Sequence, residues 1–183
     1  MGFPRFLLAS AALCVVAVAF AQSVPVPNSA PAANASVQIP AAPAPTGASS
    51  WLVMDYTNGQ VLASSNPDVR MEPASITKVM TSYVVAAEIK AGKIKATDQV
   101  MISENAWRGG GGGTDGSTSF LPLNSSVSLD ELERGMVIQS GNDAAIALAE
   151  HVAGSEQAFV ELMNNYAKKI GMNNTNFMNP HGL

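Results

Sequence analysis

The first 48 residues of this chain cannot join a packed core, and that confines folding to residues 49–183. Arg5 precedes an apolar run from Phe6 to Phe20, and the small-residue site Ala19-Phe20-Ala21 closes it. A charged start, an apolar middle and a small-residue end are the order of a secretory signal peptide, so residues 1–21 read as a leader cleaved after Ala21. The run is too short for a membrane anchor, which needs about 20 apolar residues. From Gln22 to Ala48, six prolines are scattered among Ala, Ser, Asn and Val. That composition offers too little bulky apolar surface to offset the entropy of ordering, so residues 22–48 are expected to form a disordered linker.

What remains is enough for one domain. The formal charge of −4 is spread over mixed signs with no basic stripe, which removes support for nucleic-acid binding through phosphate contacts. The one cysteine, Cys14, lies in the leader behind Leu13, which is not the small residue that lipoprotein processing prefers. The cleaved chain would then hold no thiol and no disulfide, and His151 and His181 are too far apart to make a zinc set, so neither metal nor cofactor is expected.

Order is expected to begin at Trp51. Trp-Leu-Val-Met-Asp and Gln-Val-Leu-Ala-Ser flank Asn58-Gly59, a pair that tolerates the positive φ angles of a tight hairpin turn. After Pro73 the pattern predicts a helix from about Ser75 to Ala91, with Val79, Ser82, Tyr83 and Ala86 along one face and Gly92 as its stop. Ser128, with Glu131 three residues on, forms a capping box for a second helix that runs to Gln139. A third helix is expected from about Asn142 to Val152, and a fourth, capped by Ser155, from about Glu156 to Ile170. The five-glycine run from Gly109 to Gly113 reads as a flexible loop. The fold class is therefore α/β in the mixed, α+β sense: one hairpin followed mostly by helix.

Two short motifs carry chemistry. Ser75-Ile76-Thr77-Lys78 matches S-x-x-K, which sets a hydroxyl and an amine one helical turn apart on the same face. A serine hydroxyl is a weak nucleophile until a base takes its proton, and lysine serves as that base when burial and nearby positive charge keep it neutral. The bland alternative is a solvated helix lysine, since a chain of this length yields about one such match by chance. Ser140-Gly141-Asn142 supplies a hydroxyl able to pass a proton and an amide able to grip a peptide group. Ser64-Ser65-Asn66 and Ser103-Glu104-Asn105 also fit S-x-N, but only the Ser140 copy lies between two amphipathic helices.

With Glu72-Pro73-Ala74-Ser75-Ile76-Thr77-Lys78, then Gln139-Ser140-Gly141-Asn142-Asp143-Ala144, then Asn179-Pro180-His181-Gly182-Leu183, the chain from about Ser50 onward resembles the low-molecular-mass penicillin-binding proteins, the serine-type D-alanyl-D-alanine carboxypeptidases. The resemblance implies a β-lactamase/DD-peptidase-like transpeptidase fold, with residues 49–183 forming part of its catalytic domain. It further implies that Ser75 attacks the bond between the two terminal D-alanines of a peptidoglycan stem peptide, that Lys78 is the acylation base, and that Ser140 relays a proton to the leaving amine. Asn142 would hold the substrate amide. Stem peptides and β-lactam inhibitors are the implied ligands, in the periplasm or cell envelope.

The family's third motif, Lys-Thr-Gly, does not occur: none of Lys90, Lys93, Lys95, Lys168 or Lys169 is followed by Thr-Gly or Ser-Gly. The resemblance then implies a C-terminally truncated chain, missing the later strands of the sheet, the cation for the substrate carboxylate and one oxyanion donor. It also leaves room for peripheral membrane attachment through a C-terminal region absent from this sequence. Losing one oxyanion donor costs about 10²- to 10³-fold in rate, so this polypeptide is expected to be weakly active or inactive. Two alternatives stand beside this reading: a non-catalytic module that binds wall or β-lactam, which the missing motif favours, and a class A β-lactamase, which Gly141 disfavours. His181 lacks a G-x-S-x-G partner motif and reads, like His151, as a packing histidine.

Overall fold

The computed structural model describes residues 47–110 and 116–183. The leader, the linker up to residue 46 and the middle of the glycine-rich segment lie outside the described residues. The chain divides into two units, with the boundary at Ser65 and Asn66.

In the first unit, β1 (Trp51–Met54) pairs antiparallel with β2 (Val61–Ser65), Trp51 opposite Ser65 and Val53 opposite Ala63, and the register slips between Val53 and Met54. The turn closes through its own polar groups. Asp55 Oδ1 accepts from the Thr57 amide at 2.7 Å, Asn58 Oδ1 accepts from the Gln60 amide at 2.8 Å, and Gly59 takes φ 73°. Asn58 itself is not at positive φ, so the strands are joined by a loop from Asp55 to Gln60 closed by Asx-type bonds, longer than the tight turn the Asn-Gly pair predicts.

The second unit is helical around one buried rod. A short 3-10 turn (Ala74–Ile76) leads into α1 (Thr77–Lys90), followed by β3 (Gln99–Met101), α2 (Glu104–Gly110), β4 (Ser126–Ser128), α3 (Leu129–Gln139), α4 (Asn142–Ala153) and α5 (Glu156–Lys169). Every residue of α4 from Asn142 to Ala149 is buried, and α1, α2, α3 and α5 all pack on it. Ala144, Ala145, Ala147 and Ala149 explain how: small side chains on several faces let four helices approach one axis, while Ile146 and Leu148 fill the gaps.

The capping box of α3 forms as its sequence predicts. Ser128 Oγ accepts from the Glu131 amide and Glu131 reaches back to the Ser128 amide. Ser155 caps α5 through the Ala158 amide. Three features depart from expectation. The residues Val79, Tyr83 and Ala86 lie exposed and Ser82 half-buried, whereas Thr77, Lys78, Met80, Thr81, Val84, Val85 and Glu88 are buried. Apolar residues surround α1 on nearly all sides, so periodicity selects no face, and its buried Lys78, Thr81 and Glu88 are each partnered. Thr81 Oγ1 donates to the Pro180 carbonyl at 2.6 Å, and Glu88 accepts from Lys93 and from the Tyr166 hydroxyl. Second, Gly109 and Gly110 close the last turn of α2 instead of opening a loop, because Gly110 lies against the Asp143 backbone where a Cβ would meet its nitrogen at 1.9 Å. Third, β3 and β4 form a two-stranded sheet of three residues each, Gln99 opposite Ser128, too short to leave an alternating pattern.

Leu132 is fully buried where α3 meets α4. Leu132→Ala is expected to destabilise the protein by about 2–5 kcal/mol, read from the midpoint of a urea transition followed by helical circular dichroism.

Candidate active site

Ser75 lies in the 3-10 turn and Lys78 in the first turn of α1, so the local winding sets their side chains side by side, with Lys78 Nζ 3.1 Å from Ser75 Oγ. Ser140 ends α3 in a left-handed conformation at φ 59°, and only Gly141 separates it from Asn142 at the start of α4. That short turn aims two side chains at the same amine. Lys78 Nζ is 3.3 Å from Ser140 Oγ and 2.6 Å from Asn142 Oδ1, and the two serine oxygens are 3.0 Å apart. The structure thus brings together all four residues singled out in the sequence, Ser75, Lys78, Ser140 and Asn142.

Burial is unequal among them. Lys78 is 6% exposed and Asn142 2%, whereas Ser75 is open to solvent and Ser140 is half-buried. Burial pushes the Lys78 amine below the ordinary lysine value, and the negative charge of Asp143 opposes that in part. When protonated, the ammonium has an acceptor for each of its three protons. When neutral, its lone pair can take the proton of Ser75, because hydroxyl groups rotate to donate or accept. Exposed hydroxyl, buried amine and bridging second hydroxyl together suit nucleophilic attack with proton transfer. The other two S-x-N triplets are structural. Ser103 Oγ accepts from the Ala106 amide and donates to Glu150, and Ser64-Ser65 belongs to the hairpin.

The site rests on the segment Asn179–Leu183, whose residues the sequence grouped only by resemblance. Asn179 Oδ1 accepts from the His181 and Gly182 amides, and its Nδ2 donates to the Leu183 carbonyl. Gly182, at φ 84°, lies so close beneath the Ser75 turn that a Cβ there would meet the Ala74 carbonyl oxygen at 1.9 Å and Thr77 Oγ1 at 2.5 Å. Ala74 itself is held at φ 46°, an uncommon conformation for a residue with a side chain. His181 is half-buried, its Nδ1 accepts from the Leu183 amide, and burial followed by the charge of Lys78 lowers its pKa. His151 packs 3.3 Å from Asp98. A groove of about 980 Å³ follows the outer side of α1, lined by residues such as Val69, Ile76, Val79 and Phe177, and none of the four clustered residues lines it. Among the described residues no group of His, Cys, Asp and Glu could hold a metal ion, and no helix is long and apolar enough to cross a membrane.

An exposed serine hydroxyl beside a buried lysine, with a second serine bridging them, is an arrangement that suits acyl transfer with lysine as the base. Residues 36–183 match the D-alanyl-D-alanine carboxypeptidase family, peptidase S11, and the chain belongs to that family. It is 50% identical over 155 residues to D-alanyl-D-alanine carboxypeptidase DacC of Escherichia coli K12, covering 84% of this chain and 38% of the relative. It is 52% identical over 136 residues to DacA of Haemophilus influenzae, covering 74% of this chain and 34% of the relative. Penicillin binding protein 5 from Haemophilus influenzae superposes with a TM-score of 0.72 at 49% identity, over 78% of this chain and 41% of that one. Penicillin binding protein 6B from Escherichia coli gives 0.69 at 42% identity, over 79% and 47%. The chain therefore spans 34–47% of the length of these four relatives, and the mixed α/β fold is that of the DD-peptidase penicillin-binding proteins.

Gly182→Ala combines a positive φ with a backbone clash. It is expected to cost about 1–3 kcal/mol in a denaturant titration and to displace the Ser75 turn.

Proposed function

We propose that this chain carries the nucleophile half of a serine-type D-Ala-D-Ala carboxypeptidase that trims peptidoglycan stem peptides, and that β-lactams acylate the same serine. The observation that carries the proposal is the single amine, Lys78 Nζ, within hydrogen-bond reach of Ser75, Ser140 and Asn142. Ser75 Oγ attacks the carbonyl of the penultimate D-alanine while neutral Lys78 takes its proton. Ser140 Oγ, between the two, passes a proton to the leaving D-alanine nitrogen, and Asn142 holds the substrate amide. Water then cleaves the ester, freeing the shortened peptide and restoring Ser75. The leader supports export across the inner membrane to the periplasm or cell envelope.

Incubation with a fluorescent penicillin, denaturing electrophoresis and peptide mapping tests this. A covalent label on Ser75 is expected, and Ser75→Ala abolishes it. A label elsewhere, or an undiminished label in the variant, overturns the assignment. Stoichiometric labelling with no release of D-alanine from a stem-peptide substrate would instead identify a β-lactam-binding module.

Acylation requires the unprotonated amine. Because the pKa of Lys78 is lowered, the labelling rate is expected to rise with pH and to level off below the ordinary lysine value. Lys78→Ala is expected to slow labelling by about 10²- to 10⁴-fold, measured as the pseudo-first-order rate at fixed penicillin concentration.

A further inference from the structure

We propose that Asp143, the residue after the Ser140-Gly141-Asn142 turn, is a positioning residue that locks the segment 117–121 onto that turn and so fixes Asn142 and Ser140 against Lys78. The inference rests on the acyl-transfer reading above and adds a residue to it.

Asp143 is 1% exposed. Both carboxylate oxygens are engaged, three of the four bonds coming from a different stretch of chain. Oδ1 accepts from the Ser119 amide at 2.8 Å and from the Ala144 amide at 2.9 Å. Oδ2 accepts from Thr118 Oγ1 at 2.9 Å and from the Leu121 amide at 3.0 Å. The Asn142 amide in turn donates to the Ser117 carbonyl at 2.8 Å, so the segment is tied to consecutive residues of the turn from both directions. Charge-assisted bonds of this kind are stronger than neutral ones, and a buried carboxylate keeps its charge only when its lone pairs are filled.

The packing shows how closely the two pieces fit. At Gly141 a Cβ would meet Ser119 Oγ at 2.1 Å and Asp143 Oδ1 at 2.8 Å, so a side chain at the S-x-N centre would force Ser119 and Asp143 to shift. Phe120 is held at φ 58° with its amide donating to Thr118 Oγ1, backbone strain that persists only where the surroundings impose it. Asp143 also acts on the amine through space. The Asp143 charge favours the protonated amine against its burial, and the Lys78 charge in turn lowers the pKa of His181, whose burial lowers it further. No direct bond joins the carboxylate to the amine, whose acceptors are Ser75, Ser140 and Asn142.

The experiment compares the wild-type chain with Asp143→Asn and Thr118→Val. Three readouts are taken: amide hydrogen exchange at Ser119 and Leu121, NMR titration of labelled Lys78, and penicillin labelling rate against pH. Asp143→Asn presents an NH₂ to donors and removes the charge. Exchange at one or both amides is then expected to quicken by roughly tenfold or more. The Lys78 titration, and with it the acid limb of labelling, is expected to move to lower pH. Thr118→Val removes its bond to Asp143 and the one it accepts from the Phe120 amide but leaves the charge, so it is expected to quicken exchange without moving the titration. A merely structural carboxylate would leave the titration in place. Unchanged exchange in Thr118→Val, or an unmoved Lys78 titration in folded Asp143→Asn, overturns the proposal. If the wild type takes no penicillin, the acyl-transfer reading fails while exchange and titration still decide the role of Asp143. If the wild type is labelled and Asp143→Asn matches it in all three readouts, the inference alone falls.

Discussion

The structure depends on keeping one amine, that of Lys78, out of water without leaving it unpartnered. A buried ammonium with no acceptors would cost several kcal/mol, and the fold meets that cost with three oxygens from two places in the sequence. Ser75 comes from the same helical turn, which is a local matter. Ser140 and Asn142 arrive from more than sixty residues away and require α3 and α4 to meet at one defined corner beside α1. The alanine-rich surface of α4 makes that corner possible, because larger side chains there would hold the neighbouring helices apart.

Three of the five non-glycine residues with positive φ among the described residues belong to the site or its support. Ala74 precedes Ser75 at φ 46°, Ser140 sits at φ 59°, and Phe120 at φ 58° lies in the segment tied to Asp143. Each such residue costs of order 1–3 kcal/mol, and each is held by identifiable contacts: Gly182 under Ala74, the Asp143 carboxylate beside Phe120, the α3–α4 corner around Ser140. Stability is being spent on geometry here, as the site demands a hydroxyl in a position that ordinary helical winding does not supply.

Much of this was legible in the sequence. The hairpin at Asn58-Gly59, the capping box at Ser128 and the Ser155 cap are local signals, decided within four or five residues, and the helices they bound follow closely. The four clustered residues were legible as motifs because their chemistry demands particular residue types at short spacing. The buried face of α1 was not. A helix with apolar residues all round and four polar residues inside defeats periodicity, and only the partners Pro180, Tyr166 and Lys93 reveal why Thr81 and Glu88 are buried. The β3–β4 ladder escaped notice because three residues are too few to alternate. Asp143 escaped for a subtler reason. An acid in the first turn of a helix is common for its interaction with the helix dipole, so nothing in the one-dimensional pattern says that this one is buried and tied to residues 118–121.

The order Asn142 then Asp143 has a physical logic. If a carboxylate stood where Asn142 stands, 2.6 Å from the amine, it would form a buried ion pair and hold the lysine proton firmly, which disables a general base. A neutral amide in that position satisfies the ammonium without that penalty and releases it when the proton moves. The carboxylate one residue later has its oxygens filled by two backbone amides of the segment, one of its own helix and a threonine hydroxyl, and it reaches Lys78 as a field instead of a bond. Such a field favours the protonated amine without fixing it there, which suits the role proposed for Lys78, a group that loses a proton to act as base and carries one afterwards.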